Sequence, residues 1–90
     1  MYYDKLTQQR FQKIEELVAK AIQAPNKASA KRFIDELKIA SCCLPPPACN
    51  IASELLAATS ASTGKVVGKE SYVKYANSKL YSLRTFVEKD

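Results

Sequence analysis

Histidine is absent from the 90 residues, and this excludes more chemistry than any motif present selects. Without an imidazole, no Ser–His or Cys–His nucleophile pair can form, and the commonest general base and nitrogen ligand are both missing. Glycine is scarce, two residues in all, which argues against a turn-rich β-sandwich or barrel. No window approaches the ~20 consecutive apolar residues that a membrane-spanning helix needs. The opening MYYDKLTQQR carries neither a basic start nor an apolar run, so no secretory signal is expected. A soluble, cytoplasmic chain with reduced thiols follows as the expectation.

The acids Asp4, Glu15, Glu16, Asp35, Glu36, Glu54, Glu70, Glu88 and Asp90 fall almost entirely on expected outer faces or at chain ends. No spacing pairs two of them for acid–base work. The chain therefore reads as non-enzymatic, with no cofactor, no metal and no evident small-molecule substrate.

What is present fits one folded domain over residues 1–90. The apolar share of 47% and charged share of 26% are ordinary for a globular chain with one modest core, near the size where self-association often helps. The net charge of +5 divides as +1 over 1–24, +2 over 25–43, −1 over 44–63 and +3 over 64–90. Several bases have acids four positions away, as in Glu16 with Lys20, Lys31 with Asp35, Arg32 with Glu36 and Glu70 with Lys74. Such pairs support helices by ~0.2–0.5 kcal/mol each and reduce the uncompensated positive charge.

Periodicity predicts four helices. The first runs from a cap near Asp4 to about Gln23, where Pro25 stops it; Phe11, Ile14, Leu17, Val18, Ala21 and Ile22 line one face. The second is capped by Asn26 or Ser29, carries Ala30, Phe33, Ile34 and Leu37 inward, and cannot pass Cys43. The third, rich in alanine and serine, presents Ile51, Ala52, Leu55 and Ala58, with Gly64 as a C-terminal cap. On the fourth, Val73, Ala76, Leu80, Leu83 and Val87 form a seam. Tyr72, Tyr75 and Phe86 add a second stripe, making the apolar arc wider than one neighbour requires. The expected architecture is an all-α, compact four-helix bundle of up-down order, with a polyproline connection between helices 2 and 3.

That connection lies in SCCLPPPACN, residues 41–50. Each residue before a proline is pushed out of the α region, so Leu44, Pro45 and Pro46 are expected to be extended, as a stiff rod of about 12 Å over residues 44–47. Cys42, Cys43 and Cys49 lack the paired knuckles and the fourth ligand of a structural zinc site. A rod would also hold Cys43 and Cys49 too far apart for a disulfide. They are read as small, partly buried apolar residues at helix ends. GKVVGKES (Gly64–Ser71) departs from the phosphate-loop pattern in its glycine spacing, in Glu70 after Lys69, and in lacking a preceding strand.

Two surfaces on the fourth helix remain. Tyr72, Tyr75 and Phe86 are candidate anchors of a protein interface, with a partner chain or a second copy, because aromatics dominate interface energetics. Lys74, Asn77, Ser78, Tyr81 and Arg84 should cluster away from the seam; bases, an amide and a ring could meet phosphates and stack on a nucleotide. An ordinary solvated face with one tyrosine accounts for the same residues. Lys27, Lys31 and Lys38 would add to a nucleic-acid surface. Peripheral attachment to anionic membrane is the weakest alternative.

Overall fold

The computed structural model describes residues 5–63 and 68–87. Four helices follow one another: α1 (Gln8–Gln23), α2 (Lys27–Ala40), α3 (Ala48–Ser62) and α4 (Lys69–Arg84). No strand occurs among the described residues, so the all-α, four-helix expectation holds. No described helix is long and apolar enough to cross a membrane.

The expected start of α1 at Asp4 lies outside the described residues; the cap is Thr7. Its backbone is extended and its hydroxyl accepts the Arg10 N–H at 3.2 Å, satisfying a donor that the first turn leaves orphaned. Leu6 and Phe11, the residue before the cap and the fourth helical position, are both buried, in the places of a hydrophobic staple. α1 ends where Ala24 turns extended (φ −60°, ψ 138°), as the residue before Pro25 must. Of the two candidate caps for α2, Asn26 serves: its side-chain oxygen accepts the Ser29 N–H at 2.8 Å.

Residues 44–47 do not form the expected rod. Pro46 and Pro47 lie in a turn. The Pro45 carbonyl accepts the Cys49 N–H at 3.1 Å, and the Pro47 carbonyl accepts the Ile51 N–H at 3.3 Å. These carbonyls pair amides that the start of α3 would otherwise leave bare, and Leu44 is buried. Satisfied amides and a buried leucine, worth about 1.5–3 kcal/mol by itself, outweigh the local preference for extension. The expected cap at Gly64 and the first half of GKVVGKES lie outside the described residues.

One core joins the helices. Ile14, Leu17 and Val18 of α1 meet Leu37 of α2, Leu55 of α3, and Ala76 and Leu83 of α4. The α4 seam is confirmed: Ala76, Leu80 and Leu83 are buried, with Val73 and Val87 half-buried. α1 packs along α2, and α3 packs along α4 in the most extensive helix–helix contact of the fold; α1 also touches α3 and α4, while α2 touches α3 alone of that second pair. Small residues permit the close α3–α4 approach. The buried hydroxyls of Thr59 and Ser62 donate to the Leu55 and Thr59 carbonyls at 2.8 and 2.7 Å, so neither carries an unmet desolvation penalty. The radius of gyration, 12.6 Å, matches the ~12 Å expected of a compact chain this long.

Candidate docking surface on the α3–α4 pair

Because α3 turns Ala52, Leu55 and Ala58 to the core, its helical period leaves Ala57 and Ala61 at the margin of the α3–α4 contact. Across from them, α4 presents Tyr72 and Tyr75 beside its buried seam. Together with Glu54, Ala58 and Ser71 these residues line an open groove of about 490 Å³, almost wholly apolar. Tyr72 is 37% and Tyr75 48% exposed. An alanine floor with tyrosine walls offers hollows and rings in one place.

The groove is flanked by a charge pair. Lys79 of α4 donates to Glu54 of α3 at 2.6 Å, and its ammonium stands 5.1 Å from the centre of the Tyr75 ring, within cation–π range. The hydrogen bond to Glu54 is the main reason the Lys79 ammonium titrates above the ordinary lysine value. The contact sets the Lys79 ammonium against the Tyr75 ring at the groove wall.

Of the three aromatic residues expected to form one stripe, the structure unites two. Phe86 lies in the turn after α4, about three helical turns beyond Tyr75, and is 38% exposed. It belongs to a different part of the surface because the chain leaves the helix at Arg84.

Lys74, Asn77, Ser78, Tyr81 and Arg84 of α4 are all exposed. Asn77, Tyr81 and Arg84 line a recess with Phe11 and Glu15 of α1. Lys74 lies toward the start of the helix beside Lys69 and Glu70; Ser78 is exposed and lines neither recess. On α2, Lys27, Lys31 and Lys38 border one groove of about 470 Å³ with Asp35, Ser60 and Thr63.

All described acidic residues are exposed. Among the described residues, no group of three or more Cys, Asp or Glu side chains could hold a metal ion. Cys49 packs against the core, as read from the sequence, whereas Cys42 and Cys43 are exposed. The correction has a simple cause: α2 ends at Ala40, so both residues sit in the following turn and not on its inner face.

Two cationic side chains with structural roles escaped the sequence reading. Arg10 donates through Nε to the Ala40 carbonyl at 2.7 Å and through Nη2 to the Cys42 carbonyl, closing the carboxyl end of α2. Lys69 donates to the Ile22 carbonyl at 2.8 Å at the end of α1. Cations are favoured at these negative helix ends, but each partner lies 30 or more residues away, beyond any local signal. The groove floor was better signposted, since Ala57 and Ala61 sit one turn apart on a helix rich in small residues.

Compared with protein-family models, with curated proteins and with solved structures, the chain matches none.

Proposed function

We propose that this protein is a non-enzymatic cytoplasmic interaction protein that works as a homodimer, each copy laying its α3–α4 groove against that of the other. The observation that carries this reading is the apolar groove walled by half-exposed Tyr72 and Tyr75 over Ala57 and Ala61. A two-fold contact brings the same patch to itself, so a self-recognising patch needs both shapes and both charges. This groove has them: rings to insert, alanine hollows to receive them, and Glu54 beside Lys79 at the rim. Aromatic anchors entering desolvated hollows are what interface hot spots consist of.

Sedimentation equilibrium over a wide concentration range tests the proposal. The wild type should dimerise. Tyr75→Ala should weaken association about 30-fold, a hot-spot loss of about 2 kcal/mol. Ala61→Arg, which fills the hollow with a charge, should give monomers. Both positions border an open groove, so helical circular dichroism should be unchanged. A wild type that stays monomeric at millimolar concentration would end the self-association reading.

A second reading, binding of a polyanion such as nucleic acid, is favoured by the convergence of Lys27, Lys31 and Lys38 on one groove. It moves the candidate surface from α4 to α2. Its mark is an affinity that falls steeply with salt through counterion release and that Lys31→Glu lowers while Lys74→Glu does not.

A further inference from the structure

The adjacent thiols of Cys42 and Cys43 lie apart from the α3–α4 groove and play no part in the core. Successive side chains on an extended chain point to opposite sides. Here the chain leaves α2 through Ser41 and enters the left-handed region at Cys43, φ +63°, a conformation disfavoured for a residue with a side chain. The two sulfurs come to 3.1 Å, and both residues are exposed. Arg10 grips the backbone on either side of Ser41, at the Ala40 and Cys42 carbonyls, so the turn that pairs the thiols is tied to α1.

The sulfur separation discriminates between chemistries. A disulfide needs about 2.05 Å between sulfurs and, in ordinary geometry, Cα atoms at least about 4.4 Å apart. Neighbouring residues have theirs only ~3.8 Å apart, so a bond between these two sulfurs is disfavoured. A single soft atom bonded to both is a better fit: two bonds of about 2.3 Å, the usual length from a metal to thiolate sulfur, meeting near a right angle span about 3.3 Å. Thiolate sulfur selects soft acceptors, and the near-right angle selects a pyramidal trivalent centre.

We propose that Cys42 and Cys43 form a two-thiol chelating site for soft trivalent metalloids of the arsenic(III) type. With an aryl arsenic(III) oxide, two S–H bonds break and two As–S bonds form. The oxide oxygen leaves as water with the two thiol protons, and no atom changes oxidation state.

Phenylarsine oxide, which joins two thiols, is the probe, and intact mass spectrometry of the full chain is the readout. One adduct per chain should form, survive excess monothiol and be stripped by a dithiol. Cys42→Ser and Cys43→Ser should each abolish the monothiol-resistant adduct. Both sites are exposed, and unchanged helical circular dichroism confirms that the variants fold. Cys49→Ser should keep the adduct. The folded chain should release the arsenical at least about tenfold more slowly than the same chain in urea, because the turn pre-organises the sulfurs. Equal release rates would overturn the built site, and loss of the adduct in Cys49→Ser would overturn the residue assignment.

Discussion

In the α1–α2 pair both helices begin at a side-chain cap, Thr7 and Asn26, and bury large residues such as Phe11, Ile14, Leu17 and Leu37. In the α3–α4 pair neither helix has a side-chain cap; α3 follows Pro47, α4 follows Gly68, and α3 buries mainly alanines, Thr59 and Ser62 around Leu55. Yet α3 and α4 share the larger contact. The first pair thus starts each helix from its own cap and ties the end of α2 to α1 through Arg10, while the second has no side-chain cap and depends on mutual packing. Small residues that let α3 and α4 approach closely also leave the shallow alanine floor beneath Tyr72 and Tyr75. Close packing and an open recognition face arise there from the same composition.

The sharpest way to break this contrast is Arg10→Met. It removes the guanidinium that closes α2 while keeping much of the apolar stem. Hydrogen bonds to charged groups contribute about 1.5–3 kcal/mol, so urea unfolding should show a loss of about 2 kcal/mol. A loss below about 0.5 kcal/mol, the range of an ordinary surface change, would mean that α2 needs no partner at its end.

Cap deletions come next. Thr7→Ala and Asn26→Ala should each cost about 1 kcal/mol in the same assay, and their sum should hold in the double variant because the caps share no partner. The second pair offers no such side chain to remove. Its counterpart is backbone: Gly68 has φ +80° with nothing within 4 Å of where a Cβ would stand, so Gly68→Ala should cost about 1–2 kcal/mol through conformation alone. A neutral Gly68→Ala would show that the entry to α4 can shift at no expense.

The smallest effects separate the pairs by pH. Lys79 titrates above the ordinary lysine value, chiefly through its hydrogen bond to Glu54. A raised folded value means that this contribution is complete below the unfolded value and is lost as pH rises through the folded one. Glu16 titrates below its ordinary value, chiefly through its hydrogen bond to Lys20, so its contribution is present above the unfolded value and is lost as pH falls through the folded one. Acid should therefore trim α1, and alkali should loosen α3 from α4. In thermal melts across pH, Glu16→Gln should flatten the acid limb and Glu54→Gln the alkaline limb. An acid limb unchanged in Glu16→Gln, or an alkaline limb unchanged in Glu54→Gln, would refute that assignment.

Much of this was legible in the residue order. The stripe from Phe11 to Ala21, the stop before Pro25, the Asn26 cap and the Ala76–Leu80–Leu83 seam all follow from the spacing of three and four and from cap chemistry. The site was half legible. Tyr72 and Tyr75 stood out as surplus to the seam, but Phe86 could not be separated from them without knowing where α4 ends. The turn at 44–47 ran against local preference because the Pro45 and Pro47 carbonyls had amides of α3 within reach.

The sequence alone determined the helices, their inward faces and the absence of imidazole chemistry, because each depends on residues within a turn or two of one another, or on composition. Only the tertiary structure decided that Arg10 closes α2 and that Lys69 closes α1. It also decided that alanines and tyrosines from different helices share one groove. Those outcomes depend on packing across tens of residues, where the distance between side chains is set by how whole helices lie against each other and no periodicity carries the information.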